Sequence, residues 1–356
     1  MILTTKTGVW RRRLVTVRHC NKKSIVRHRG VLKEVNFARS LSNEHVLKFL
    51  KASITSDRFC ILYEAASRGT LYDLIGAKSK LDWIVRFSFL NAIVGGLRYL
   101  YSRGLTSHSR LTSQCLYLDA QFVLKVADYG MPSFFNFNQV ELWFAKRRPE
   151  YNATMIWTAP EVLRDQDGST GKSVHVYNKS IDIYSFGIIL QEVISWGAPY
   201  CVQLANGGLT PSEIIRCVHR GHNAEGTLMR PQFDDQLDCD HGMVDLAVRC
   251  WAEEQADRMD WNHIKEHLTH TSQIMGFRAT GSIVDALLGQ VETLTVALSD
   301  EISDIQRKIQ REHDKYLKTL MLFVPRFVCL NYRPAKIFAA LRLTGWRHLS
   351  VTHFSA

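Results

Sequence analysis

Four short strings in this chain hold charged residues at spacings that can do chemistry. Asp128-Tyr129-Gly130 sets an acid on a glycine turn. Ala159-Pro160-Glu161 follows, and then Asp182-Ile183-Tyr184-Ser185-Phe186-Gly187. Cys250-Trp251 comes last, with Arg258 shortly after it. An acid on a glycine turn is the kind of group that holds a metal ion beside a nucleotide. Moving phosphate from nucleotide to hydroxyl needs several further parts. A glycine-rich turn covers the phosphates, and a cation held by a helix glutamate grips them. One acid holds metal, another positions the hydroxyl, and an amide completes the metal site. An Asp-x-Gly turn alone carries little weight, whereas four strings in register carry much.

In this order and spacing the strings resemble the protein kinase fold over residues 8–270. The resemblance makes Asp128 the metal-binding acid and pairs Glu161 with Arg258 as a structural contact. It assigns nucleotide contact to Arg18, Glu34, Glu64, Ala66 and Asp128. Val15-Thr16-Val17-Arg18 fills the place of the strand motif V-A-I-K, with Glu34 as the expected helix partner of Arg18. Arginine keeps the charge of lysine but is planar and forked. Two readings of Arg18 stand side by side: contact with nucleotide phosphate, and an ion pair without nucleotide. Tyr63 sits at the back of the implied pocket, before the hinge at Ala65 and Ala66. Of the glycine turn only Gly8-Val9-Trp10 is left.

The catalytic string breaks the pattern. The family's H-R-D-L-x-x-x-N reads here as His108-Ser109-Arg110-Leu111-Thr112-Ser113-Gln114-Cys115. Arg110 replaces the acid that would accept the hydroxyl proton, and a guanidinium cannot act as a base. Cys115 replaces the asparagine, and a neutral thiol is a poor ligand for magnesium, which prefers oxygen. No catalytic residue is therefore assigned, and a kinase with a displaced base is an outlying alternative. Arg110 either faces solvent or pairs with Asp128 in place of a metal ion. Gly171-Lys172-Ser173 looks like the end of a phosphate-binding loop, but Gln166 stands where its first glycine belongs and no strand precedes it.

The elements that must position these residues follow from the apolar pattern. Leu14, Val15 and Val17 suit a strand, as do Val46 to Phe49 and Phe59 to Glu64. Gly30 to Leu41 has helical spacing. Leu81 to Tyr101 predicts a long amphipathic helix, and Gln121 to Val126 a short hairpin strand. Ile181 to Ser195 predicts a buried helix. Pro211 to Val218, Met243 to Ala252 and Trp261 to Leu268 predict shorter ones. Strands first and helices afterwards point to an α+β, two-lobed fold with a small β-rich N-lobe and a larger helical C-lobe. From Ser282 apolar residues recur in steps of four and three, from Ile283 through Leu287, Val291, Leu294, Leu298, Ile302 and Ile305 to Ile309. Such a stripe predicts a coiled-coil helix over 282–322; docking on the chain's own domain would show a similar stripe. Residues 323–356 read as a basic tail.

Further strings narrow the family. Phe122-Val123-Leu124-Lys125-Val126-Ala127-Asp128-Tyr129-Gly130 has Tyr129 where most kinases have phenylalanine. With Trp157-Thr158-Ala159-Pro160-Glu161, Gly187-Ile188-Ile189-Leu190-Gln191-Glu192 and Cys250-Trp251-Ala252-Glu253, it closely resembles the kinase-homology domain of membrane guanylate cyclases. Ile283-Val284-Asp285-Ala286-Leu287-Leu288 resembles the start of that family's dimerisation helix. The resemblance covers about residues 8–326. It implies a regulatory pseudokinase module, under the plasma membrane on its cytoplasmic side, that binds ATP allosterically and relays a signal to a cyclase domain making cGMP. Homodimerisation through 282–316 and contact with the parent's cyclase domain go with it; a role for magnesium is left open. The cyclase's metal-binding acids are missing after Pro325-Arg326-Phe327-Val328, so this polypeptide is not expected to make cGMP by itself. A fragment, a truncated product and a mis-assembled gene fit equally. A stand-alone inhibitory or scaffolding pseudokinase that pairs with intact cyclases is the alternative function.

Charge and cysteine use exclude other classes. The net charge is +11, but no acid precedes Glu34, where ten Lys or Arg fall, and none follows Asp314, where seven fall. Only the ends are basic. Solvated flanks, an anionic membrane surface near Arg11, Arg12 and Arg13, and nucleic acid are the three readings. No zinc-finger spacing or RNA-binding aromatic motif supports the last, and nucleic acid is not expected. The eight cysteines form no C-x-x-C pair, which argues against a disulfide framework or zinc site. No secretory leader or membrane span is evident.

Overall fold

The computed structural model describes residues 3–20, 29–54, 59–77, 81–135, 155–165, 178–206, 208–223, 225–234 and 239–275, with 307–308 and 310–311. The chain divides into two units, Met1–Val284 and Asp285–Ala356. The coiled-coil stripe lies almost wholly outside the described residues, and the basic tail entirely so.

Among the described residues, four antiparallel strands pair in the order β1-β2-β4-β3, with β1 at Leu3–Trp10, β2 at Arg13–Cys20, β3 at Phe49–Ile54 and β4 at Phe59–Glu64. Helix α1 (Arg29–Ser40) packs on β3. Val15, Ile61, Tyr63 and Phe49 bury the sheet, and Val31, Ala38 and Leu41 bury the helix. This is the small lobe.

Two expectations are corrected here. Gly8-Val9-Trp10 is not a phosphate-covering turn. It lies inside β1, with Gly8 opposite Val15 and Trp10 opposite Arg13. The turn is Arg11–Arg12, both at positive φ, 50° and 64°. That is the two-residue hairpin geometry whose twist matches the strands. Of Val46 to Phe49 only Phe49 is strand, as the first residue of β3. The backbone before it is drawn to the other lobe: Leu47 N–H donates to the Val126 carbonyl at 2.9 Å, and Val126 N–H to the His45 carbonyl at 2.9 Å.

The larger lobe is helical. α2 is Leu71–Gly76 and α3 is Trp83–Ser102, followed by a hairpin of β5 (Leu116–Leu118) and β6 (Leu124–Val126). Then come α4 (Pro132–Phe135), α5 (Pro160–Asp165), α6 (Lys179–Ser195), α7 (Cys201–Asn206), α8 (Pro211–Arg220), α9 (His241–Cys250) and α10 (Trp261–Ile274). Asn178 caps α6 by accepting from Ser180 N–H at 2.7 Å. Every residue of α6 from Ile181 to Ile194 is buried, as befits a helix apolar on all sides. Gly187 lets α9 approach it: a Cβ there would lie 2.9 Å from the Cys250 Cβ. Glu161 and Arg258 form a two-pronged ion pair at 2.6 and 2.8 Å, as the kinase resemblance implies.

Candidate functional site

Asp128 follows β6 with φ 60° and is buried. Gly130, two residues on, has φ 65°, and a Cβ there would meet the Phe37 ring at 2.7 Å. Only glycine therefore lets this turn press against α1. Arg18 reaches Asp128 from the middle of β2. Its Nε donates to Oδ1 at 3.2 Å and its Nη2 donates to Oδ2. Nη1 donates to Thr5 Oγ1 at 2.8 Å, and the guanidinium lies over the Tyr117 ring, 5.6 Å from its centre. The two paired side chains are 8% and 3% exposed, so solvent screens them little. Burial opposes the charge on Arg18, but the Asp128 carboxylate outweighs it and raises the guanidinium pKa.

Glu34 does not reach Arg18. Its carboxylate accepts from Ser133 N–H at 3.0 Å and from Ser133 Oγ at 2.6 Å, tying α1 to α4. The expected pair of Arg18 and Glu34 is thus replaced by Arg18 with Asp128, and Glu34 serves the start of α4. The cation on Asp128 is Arg18 rather than Arg110. Arg110 lines a cavity of about 500 Å³ with Lys33, Glu34, His108, Asp128 and Met131.

The hinge is internally satisfied. Ala66 N–H donates to Thr16 Oγ1 at 2.9 Å. The Glu64 carboxylate accepts from Lys125 Nζ at 2.9 Å and from Lys48 N–H at 3.1 Å. Tyr63 is fully buried and packs edge-on against Phe49 and Tyr129.

The catalytic loop keeps its frame without its base. Buried Asp182 accepts from the backbone N–H of His108 at 2.6 Å and of Ser109 at 2.8 Å, and from Tyr101 OH at 2.8 Å. Burial raises its pKa, and these donors and His108 offset part of that. The His108 ring holds the Ala127 carbonyl through Nε2 at 2.8 Å. Cys115 is buried, and its thiol donates to the Thr112 carbonyl at 3.1 Å. Burial pushes that thiol up to about 12, so it stays protonated near neutrality. Magnesium does not fit this site. Both oxygens of Asp128 are held by Arg18, Cys115 offers no anionic or oxygen donor, and no three metal-ligating side chains converge among the described residues.

The sequence pattern of protein tyrosine and serine/threonine kinases matches residues 4–268. The chain belongs to that family. Within it, this kinase-like domain matches the kinase-homology region of receptor guanylate cyclases. Atrial natriuretic peptide receptor 2 of Homo sapiens is 32% identical over 327 residues, 90% of this chain and 29% of the relative. Guanylate cyclase D of Mus musculus is 31% identical over 288 residues, 81% of this chain and 23% of the relative. Receptor-type guanylate cyclase gcy-28 of Caenorhabditis elegans is 27% identical over 335 residues, 90% of this chain and 25% of the relative. The chain thus spans less than a third of the length of these relatives. Among the described residues, no helix is long and apolar enough to cross a membrane.

One functional-looking group of this kinase-family domain escaped the sequence reading. Glu192, fully buried in α6, accepts from Ser113 Oγ at 2.8 Å and from Trp157 Nε1 at 2.7 Å. It joins the catalytic loop to the Trp157 turn before α5. Burial pushes its pKa up to about 8. The available signal was an acid that follows the apolar run Ile188-Ile189-Leu190 within a helix buried on all sides.

Proposed function

We propose that this chain is the regulatory, phosphotransfer-silent module of a receptor guanylate cyclase, passing a conformational signal to a cyclase domain. The observation that carries the reading is the buried pair of Arg18 and Asp128. The acid that would hold metal is neutralised by a side chain of the same domain, and Arg110 stands where a base would be. A domain so built lacks the base at its usual place, but it keeps two lobes whose relative packing a ligand can bias. Arg18 and Asp128 come from opposite lobes, as do Glu34 and Ser133.

Nucleotide regulation belongs to the proposal. ATP would enter without magnesium and would compete with Thr16 for the Ala66 amide. Dimerisation through 282–316 and a position at the cytoplasmic face of the membrane complete the reading, both on the family resemblance. A thermal-shift titration with ATP tests the nucleotide part. Equal stabilisation with magnesium and with chelator is expected, because binding to the native state alone raises the melting point. A shift that appears only with magnesium overturns it. Mixing the purified chain with an intact receptor cyclase tests the scaffold alternative: a fall in cGMP output favours an inhibitory partner over a module.

A further inference from the structure

We infer that the tip of the β1–β2 hairpin is a docking surface for an anionic lipid bilayer. The inference stands on the hairpin itself and does not depend on the nucleotide reading. Val9 and Leu14 face each other across the two strands and are 72% and 60% exposed, a contiguous apolar pair with no cover among the described residues. Arg11 and Arg12 form the adjoining turn and Arg13 pairs with Trp10 at its base, and all three are exposed. The Arg11 guanidinium lies over the Trp10 ring, 4.7 Å from its centre. An exposed apolar pair next to a turn of arginines is the arrangement that inserts shallowly among acyl chains while its cations meet lipid phosphates.

The turn adds an independent argument. Both central residues have positive φ, where asparagine and glycine are favoured and arginine is strained. Fold stability alone selects Asn-Gly at this place. Two arginines are kept at a cost to the turn, which points to a use for their charge.

Local charge agrees. No acid occurs before Glu34. Glu64, which lies opposite Val15 in the sheet, is engaged by Lys125 and leaves the tip uncompensated. A free anion would use the arginines but has no use for Val9 and Leu14. A membrane uses both.

Co-sedimentation of the full chain with vesicles tests this, using phosphatidylcholine alone and phosphatidylcholine mixed with phosphatidylserine. Binding is expected only with phosphatidylserine and should weaken as salt rises. Arg11→Asn with Arg12→Gly keeps or improves the turn while removing two charges, and affinity should fall by roughly fivefold per arginine. Val9→Ser with Leu14→Ser leaves the charge unchanged, and binding should fall severalfold with the melting temperature unaltered. Equal binding to both vesicle types overturns the inference. So does binding that both variants retain, which would assign it to other basic segments. Hairpin-dependent binding of an oligonucleotide, with vesicles left free, would make the surface a nucleic-acid site instead.

Discussion

Arg18 and Asp128 lie 110 positions apart and share a buried ion pair across the two lobes of the domain. Family position alone pairs Arg18 with Glu34 and gives Asp128 to a metal ion. The fold joins the two left without those partners. Arg18 is fixed on β2 beside Asp128, whereas Cys115 leaves magnesium without the second oxygen ligand it prefers.

Removing one member of this pair should be costly and removing both should not. Asp128→Ala leaves Arg18 buried and unpaired, and urea denaturation should show a loss of about 3–5 kcal/mol. Arg18→Met combined with Asp128→Leu should recover most of it. A double variant as unstable as the single one would show that the pair is not the main contribution.

Stability should depend on pH through Glu192. Its folded pKa of about 8 lies above the ordinary 4.5, so the native state holds a proton that the unfolded chain releases. The contribution is full below pH 4.5 and is lost as pH rises through 8, by at most about 1.4 kcal/mol per pH unit. A glutamine side chain at the same place has nearly the same size and does not titrate. Melting curves of Glu192→Gln should therefore lose this slope, and an unchanged slope counts against the assignment.

Thr16→Val should strengthen nucleotide binding. It frees the Ala66 amide from an internal acceptor worth about 0.5–1.5 kcal/mol, roughly a two- to tenfold gain in ATP affinity. Calorimetry showing weaker binding would mean that Thr16 organises the hinge rather than competing for it.

The thiols should sort by burial. Cys115, pushed up to about 12, and Cys250, raised further by burial, should resist alkylation in the native protein and react in denaturant. Half-buried Cys60, Cys201, Cys217 and Cys239 should react first. Mass spectrometry of the labelled peptides decides; early labelling of Cys115 would indicate an open catalytic loop.

Label transfer from ATP to generic substrates should be absent. Robust transfer abolished by Asp128→Ala would falsify the silent reading.

Much of the large lobe was legible in the sequence, because its helices carry long apolar patterns. The helix at Ile181–Ser195 was placed within two residues of its observed start at Lys179. The small lobe was less legible. β1 has three threonines and a lysine among its eight residues and only Val9-Trp10 as adjacent apolar residues, and the segment at Val46 looks like a strand until the Leu47 amide is seen bonding β6.

The family resemblance implied the pairing of Glu161 with Arg258. Local sequence by itself determined the order of the elements and the loss of the base at Arg110 and of the amide at Cys115. These depend on residue type and spacing, which the chain states directly. Tertiary structure alone decided that Arg18 takes Asp128, that Ser133 takes Glu34, that Thr16 closes the Ala66 amide and that Glu192 is buried between two loops. Each of those depends on which groups from distant segments come within about 3 Å, and hydrogen bonding falls away so steeply with distance that only the folded chain selects among the possible partners.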